Sequence, residues 1–129
     1  MGSSVPLARK VVLVVEDEPL LRMMAVDMVE EAGFEAVEAW DAEEAIRILE
    51  GRLDIRVVFT DIDMPNGVDG LKLAAAIRDR WPPIEIIITS GKLWSRGLKL
   101  PERAVFFPKP YQRDKVAAEM RRMVADVTN

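Results

Sequence analysis

The regular alternation of β-branched runs with helix-like segments is the feature that most constrains this fold. Short apolar runs predict strands at residues 10–15, 34–39, 57–60, 84–89 and 104–107. Apolar residues at helical spacing predict helices at residues 19–32, 42–50, 71–80 and 112–126, and a short one around 93–96. This order predicts an α/β fold, a single doubly wound domain with a five-stranded parallel sheet and helices on both faces. We expect the flavodoxin-like strand order, a common solution at this size.

Length and composition fit one folded domain. The chain has 129 residues, half of them hydrophobic. We expect residues 1–9 to be a flexible N-terminal lead and residues 10–127 to form the domain. No apolar run approaches the roughly 20 residues that cross a bilayer, and the start lacks a signal-peptide pattern. We therefore expect a cytoplasmic chain without membrane contact.

Two missing residue types and the net charge exclude several functions. The chain contains no cysteine and no histidine. This excludes disulfides, thiolate or imidazole metal ligands, and a phosphohistidine within the chain itself. The formal net charge of -4 argues against nucleic-acid binding, which usually needs a basic surface.

Acidic, hydroxyl and basic side chains stand at the ends of four predicted strands. Glu16 and Asp17 follow the first strand, Asp61 follows the third, Thr89 ends the fourth, and Lys109 follows the fifth. Because the carboxyl ends of parallel strands form one edge of the sheet, we expect these side chains to converge there. Oxygen ligands without histidine or cysteine favour Mg²⁺, with Mn²⁺ as the alternative ion. The sequence thus predicts a site for a hard cation and a phosphoryl group.

The same motifs resemble the receiver domain of two-component response regulators. The resemblance covers roughly residues 10–126 and rests on four motifs in order: Val11-Val12-Leu13-Val14-Val15-Glu16-Asp17-Glu18, Asp61-Ile62-Asp63-Met64-Pro65, Thr89-Ser90-Gly91 and Lys109-Pro110. It implies a regulatory phosphoacceptor domain rather than an enzyme. The implied partners are a sensor histidine kinase or a histidine phosphotransfer protein, which carries the phosphohistidine, and a downstream target protein.

The resemblance also implies how a metal ion is bound. Asp17 would bind Mg²⁺ directly, and Glu16 would act through a coordinated water. Asp61 would supply a second carboxylate ligand, and the backbone carbonyl of Asp63 a third protein ligand.

The phosphoryl chemistry implied by the resemblance centres on Asp61, which would be the nucleophile. Lys109 would pair with Asp61 and then with the phosphoryl oxygens, and Thr89 would bind the phosphoryl group after transfer. Phe106 matches the switch aromatic, three residues before the lysine. Movement of Thr89 and rotation of Phe106 would shift the surface formed by the fourth helix, fifth strand and fifth helix.

Four features depart from the common family pattern. The loop 65–70 is one residue longer than the commonest spacing, and Ser90 stands where a small residue, often alanine, follows the threonine. Asp63, two residues after the acceptor, is more unusual. It is either a solvated loop acid or a charge that alters the access of water or a partner to the phosphoryl group. Gly97 and Pro101 bracket the short helix expected around residues 93–96, so we expect an atypical output surface. Trp94 in this stretch is a candidate partner contact or a half-buried core residue.

Three alternatives remain open from the sequence. Asp61-Ile62-Asp63 also resembles the first motif of Mg²⁺-dependent phosphatases of the haloacid-dehalogenase type, with Asp61 as nucleophile and Asp63 as acid/base. Its place on the third predicted strand argues against that enzyme, whose motif normally lies on the first strand. A pseudo-receiver that binds without phosphorylation is the second alternative, although all the expected positions are filled. The third is a receiver excised from a hybrid kinase or a longer regulator.

Overall fold

Five parallel strands form one sheet at the centre of the protein. The computed structural model describes residues 9–63, 70–91 and 100–125. The strands are β1 (Val11–Val15), β2 (Glu35–Ala39), β3 (Ile55–Asp61), β4 (Glu85–Ser90) and β5 (Ala104–Pro108). Their order in the sheet is β2-β1-β3-β4-β5. The expected fold class and flavodoxin-like order are therefore confirmed.

Four helices in the described part of the chain cover the two faces of the sheet. They are α1 (Pro19–Glu31), α2 (Ala42–Gly51), α3 (Gly70–Arg80) and α4 (Arg113–Val124). One apolar cluster joins α2 and α3 to the sheet through residues such as Leu49, Leu73 and Ile88. The other joins α1 and α4 through residues such as Val29 and Met120. No helix among the described residues is long and apolar enough to cross a membrane.

The residues that end α1 and begin α2 have the chemistry typical of helix termini. Gly33 has a positive φ of 100°, and the amides of Gly33 and Phe34 donate to the last turn of α1 at 3.0 and 3.2 Å. Glycine suits this left-handed position because it has no Cβ. At the start of α2, the Glu44 amide donates to Asp41 Oδ1 at 2.8 Å. The Glu44 carboxylate in turn accepts from the Trp40 amide at 2.9 Å, one residue before the usual capping-box donor.

The strand and helix limits differ from the predicted ones by a few residues. β3 begins at Ile55, two residues earlier than predicted. The prediction missed these residues because the exposed Arg56 interrupts the apolar run. β4 begins at Glu85 because the Ile84 amide closes a turn on Trp81 O at 3.0 Å. α4 ends at Val124 because Ala125 is extended.

Two predicted regions lie outside the described residues. The helix expected around 93–96 falls there, and so do the candidate contact Trp94 and most of the loop 65–70. The helix predicted at 112–126 corresponds to α4.

Candidate functional site

Four strands bring the predicted site residues to the carboxyl edge of the sheet. Asp61 is the last residue of β3 and lies directly beside Thr89 of β4 in the strand register. Glu16 follows β1, and Lys109 follows β5. Glu16, Asp61 and Thr89 are all buried, with exposed fractions of 6%, 5% and 2%. The expected convergence is therefore present in the structure.

Lys109 links two of the buried carboxylates. Its ammonium nitrogen lies 3.0 Å from Asp61 Oδ2 and 3.5 Å from Glu16 Oε1. The backbone amide of Lys109 donates to Ser90 O at 2.8 Å, and the following peptide bond to Pro110 is cis. Burial lowers the pKa of Lys109, but the hydrogen bond and charge of Asp61, together with Glu16, outweigh it and leave the pKa raised. The lysine is therefore held in its charged form between the acids.

Glu16, Asp17 and Asp61 form an acidic cluster that fits a divalent cation. One carboxylate oxygen from each lies within 4.8 Å of the others. Burial raises the pKa of Glu16 from 4.5 to about 7, although the Glu18 amide and Lys109 lower it and Asp61 adds repulsion. Such crowded carboxylates are stabilised in their ionised form by a cation among them. An all-oxygen donor set suits Mg²⁺, and the cluster fits a phosphoacceptor site.

Asp63 makes contacts that the sequence did not reveal. Its backbone amide donates to Asp61 Oδ1 at 3.0 Å. Its carboxylate Oδ2 accepts from Ser90 Oγ at 2.8 Å and from the Gly91 amide at 3.0 Å. Asp63 is half-buried, so it is not simply a solvated loop acid. The only sequence signal was that Asp63 and Ser90 both depart from the common family pattern.

The start of α3 packs directly on the end of β3. A Cβ atom on Gly70 would lie 2.5 Å from the carbonyl oxygen of Asp61 and 2.7 Å from Cα of Ile62. Real side chains do not approach so closely, and backbone atoms cannot move away cheaply. The absence of a side chain at residue 70 therefore sets how near α3 lies to Asp61.

A cavity of about 540 Å³ opens beside the acidic cluster. It reaches from Asp61 and Lys109 to the apolar side chains of Leu21, Met24 and Tyr111. The ring of Tyr111 stands edge-on to Phe59 at 5.7 Å between centroids, and burial raises its pKa. Sequence reasoning did not single out Tyr111, although an aromatic residue directly after Lys109-Pro110 was a usable signal.

The two predicted switch residues lie on neighbouring strands. Thr89 is buried in β4 at the site. Phe106 of β5 is half-buried and packs against the cluster under α2 and α3. In the register, Phe106 lies beside Ile88 and Phe107 lies beside Thr89. The structure thus places Phe106 next to the residue before Thr89, and its switching role stays a prediction.

Comparison with known proteins gives one consistent family. The sequence profile of the response regulator receiver domain matches residues 12–120. The sensor kinase CckA of Brucella abortus is 34% identical over 119 residues, which are 88% of this chain and 12% of that protein. The transcriptional regulatory protein CpxR of Escherichia coli is 29% identical over 113 residues, 85% of this chain and 47% of that protein. The chain therefore spans less than half the length of either relative.

A solved receiver structure has the same fold over nearly its whole length. The response regulator TrrA of Thermotoga maritima, in complex with Mg²⁺ and beryllofluoride, is 28% identical with a TM-score of 0.81, and the match covers 89% of this chain and 99% of that one. A second structure, of histidine kinase ThkA in complex with TrrA, matches at 27% identity and a TM-score of 0.80, over 90% of this chain and 99% of that one. The haloacid-dehalogenase alternative is not supported. With motifs, strand order and sequence profile in agreement, this chain belongs to the response regulator receiver domain family.

Proposed function

We propose that this domain receives a phosphoryl group on Asp61 from a phosphohistidine of a partner protein. The observation that carries the proposal is the buried Asp61 carboxylate, 3.0 Å from the Lys109 ammonium and clustered with Glu16 and Asp17. The phosphohistidine must lie outside this chain, because the chain has no histidine. A sensor histidine kinase or a histidine phosphotransfer protein has the required chemistry.

The proposed transfer uses a carboxylate oxygen of Asp61 as the nucleophile. An oxygen–phosphorus bond forms as the nitrogen–phosphorus bond of the phosphohistidine breaks. The bonding electron pair leaves with the imidazole nitrogen, and a proton completes the neutral ring. The Lys109 ammonium donates a hydrogen bond to Asp61 Oδ2 and can neutralise charge that develops on the phosphoryl oxygens. Thr89, in register with Asp61, offers its hydroxyl to the same group.

Four residues are proposed to hold Mg²⁺. Asp17 and Asp61 would bind through their carboxylates, Asp63 through its backbone carbonyl, and Glu16 through a water. When bound, the ion supplies positive charge that compensates the phosphoryl group and the acids around it. Mg²⁺ in the complex of TrrA supports this assignment, and Mn²⁺, which favours similar oxygen ligands, is the alternative ion.

An exposed apolar surface beside the site supports docking of a partner protein. Leu20, Met23 and Met24 at the start of α1 are exposed by 63%, 60% and 49%. The cavity lined by Met24 and Leu21 connects this surface to Asp61. A partner that covers these side chains would bury apolar area next to the acceptor. The complex of TrrA with a histidine kinase supports a partner of this class.

The proposed output is a shift between two conformations. A phosphoryl group adds negative charge at the β3–β4 edge, and Thr89 is proposed to move toward it while Phe106 changes its packing. The altered surface would then be recognised by a downstream target protein.

The central experiment is phosphorylation by a small phosphodonor. Incubation with acetyl phosphate and Mg²⁺ should add one phosphoryl group, measured by intact mass. Asp61→Asn should abolish the gain, whereas the exposed control Asp79→Asn should retain it. The phosphorylated fraction should saturate at one group per chain. A mass gain that survives Asp61→Asn would overturn the assignment of the acceptor.

A further inference from the structure

The carboxylate of Asp63 is held against the end of β4 by two hydrogen bonds. Its Oδ2 atom accepts from Ser90 Oγ at 2.8 Å and from the Gly91 amide at 3.0 Å. These contacts span 27 and 28 residues of sequence. Asp63 therefore joins the end of β3, which carries the acceptor, to the end of β4, which carries Thr89. We refer to the contacts of Asp63 with Ser90 and Gly91 as the Asp63 clamp.

Ser90, one member of the clamp, is linked to both Thr89 and Lys109, the two residues proposed to bind the phosphoryl oxygens. Ser90 directly follows Thr89, so a backbone shift of Thr89 moves Ser90 as well. The Ser90 carbonyl also accepts from the Lys109 amide at 2.8 Å. A backbone movement of Thr89 toward a phosphoryl group would therefore carry Ser90 with it and stretch the bonds to Asp63.

The negative charge of Asp63, like its hydrogen bonds, opposes phosphorylation of Asp61. Asp63 lies two residues after the acceptor, and its amide binds Asp61 Oδ1 at 3.0 Å. Phosphorylation of Asp61 adds further negative charge to this half-buried region, where repulsion is screened less than in bulk water. Asp63 is thus an internal anion next to the arriving one.

We propose that Asp63 is a positioning residue that restrains the Thr89–Gly91 segment and weakens binding of a phosphoryl group at Asp61. This rests on the proposed function of Asp61 and extends it to the regulation of the same site. Both the restraint and the repulsion favour the unphosphorylated arrangement, so loss of the clamp should make the site bind a phosphoryl mimic more tightly.

Binding of beryllofluoride in the presence of Mg²⁺, measured by calorimetry and by fluorine NMR, tests this inference. Asp63→Asn keeps the shape of the side chain and removes its charge, and we expect about fivefold tighter binding at low salt. The gain should shrink as the salt concentration rises, because part of it comes from charge repulsion. Ser90→Ala keeps the charge and removes one bond of the clamp, so we expect a smaller gain. Asp79→Asn is the control for charge alone.

The double variant of Asp63→Ala with Ser90→Ala separates a shared clamp from two independent effects. The amide oxygen in Asp63→Asn can still accept both hydrogen bonds, whereas Asp63→Ala removes the bonds together with the charge. If both residues act through one contact, the double variant should bind no more tightly than Asp63→Ala alone. Tighter binding is also a result that general structural damage would not produce. Unchanged or weaker binding by Asp63→Asn, or additive gains in the double variant, would overturn the inference. Failure of the wild-type protein to bind beryllofluoride would instead contradict the proposed function at Asp61, and this inference with it.

Discussion

The ammonium nitrogen of Lys109 lies 3.0 Å from Asp61 Oδ2 and 3.5 Å from Glu16 Oε1. One lysine therefore compensates two carboxylates that are almost fully buried. Removing one member of such a group leaves the remaining charges uncompensated, which is more costly than the loss of an exposed ion pair. The arrangement also places a cation where phosphoryl oxygens would arrive.

Lys109→Met should slow phosphorylation from acetyl phosphate by about 100-fold, as expected for loss of a group that stabilises developing negative charge. The rate of phosphoryl gain is measured by intact mass at fixed Mg²⁺. The exposed Lys115 on α4 provides the matched control, and Lys115→Met should react at the wild-type rate. Equal rates for Lys109→Met and wild type would exclude Lys109 from the transfer step.

The raised pKa of Glu16 predicts a pH dependence of stability in the metal-free protein. The folded state binds this proton more tightly than the unfolded chain, because burial raises the pKa from 4.5 to about 7. The contribution to stability is thus complete below pH 4.5 and is lost as the pH rises through 7. We expect ionisation of Glu16 in the folded protein to lower the free energy of unfolding by about 3 kcal/mol between these pH values.

Urea unfolding with a chelator at a series of pH values measures this contribution. In Glu16→Gln, the free energy of unfolding should no longer show the decline with pH that Glu16 causes. The exposed Glu30→Gln should retain this decline. Saturating Mg²⁺ should weaken the decline in the wild-type protein, because the cation favours the ionised carboxylates. The same slope in Glu16→Gln and wild type would contradict the prediction.

The strand order and the converging site were predictable because they rest on patterns that repeat along the chain. Buried parallel strands need continuous apolar runs, and their carboxyl ends share one edge of the sheet. Glu16, Asp61, Thr89 and Lys109 therefore stood out from their place after these runs. The start of β3 was missed because Arg56 points outward between buried Ile55 and Val57.

The Asp63 clamp was not predictable from local patterns. It depends on how two chain segments approach after the sheet has formed, and on the side-chain rotamer that turns Asp63 toward Ser90. The sequence alone does not distinguish an aspartate that faces solvent from one that is hydrogen-bonded to a neighbouring segment. The close approach of Gly70 to Asp61 is similar, because the sequence shows a glycine near a helix start but not the backbone that it faces.

Gly70→Ala should destabilise the protein by about 1–3 kcal/mol, the usual cost of overpacking. Its Cβ would lie 2.5 Å from the Asp61 carbonyl oxygen, so the backbone of the acceptor must shift. We therefore expect phosphorylation to slow as well, and urea unfolding with the mass assay measures both effects.

Gly51→Ala is the matched control for a glycine in a helix. A Cβ at residue 51 would have nothing within 4 Å, so alanine should be neutral or slightly stabilising through its higher helix propensity. Gly70→Ala with wild-type stability and phosphorylation would show that α3 moves away without consequence for Asp61.

Asp17 should be a major determinant of Mg²⁺ affinity, because it is the partly exposed member of the acidic cluster with Glu16 and Asp61. Asp17→Asn removes one negative charge and one strong oxygen ligand, and we expect Mg²⁺ binding to weaken by about tenfold or more. Calorimetric titration with Mg²⁺ measures the affinity. Asp27→Asn, on the exposed face of α1, changes the net charge equally and should bind Mg²⁺ like the wild type. Equal weakening in both variants would mean that net charge rather than direct coordination accounts for the effect of Asp17.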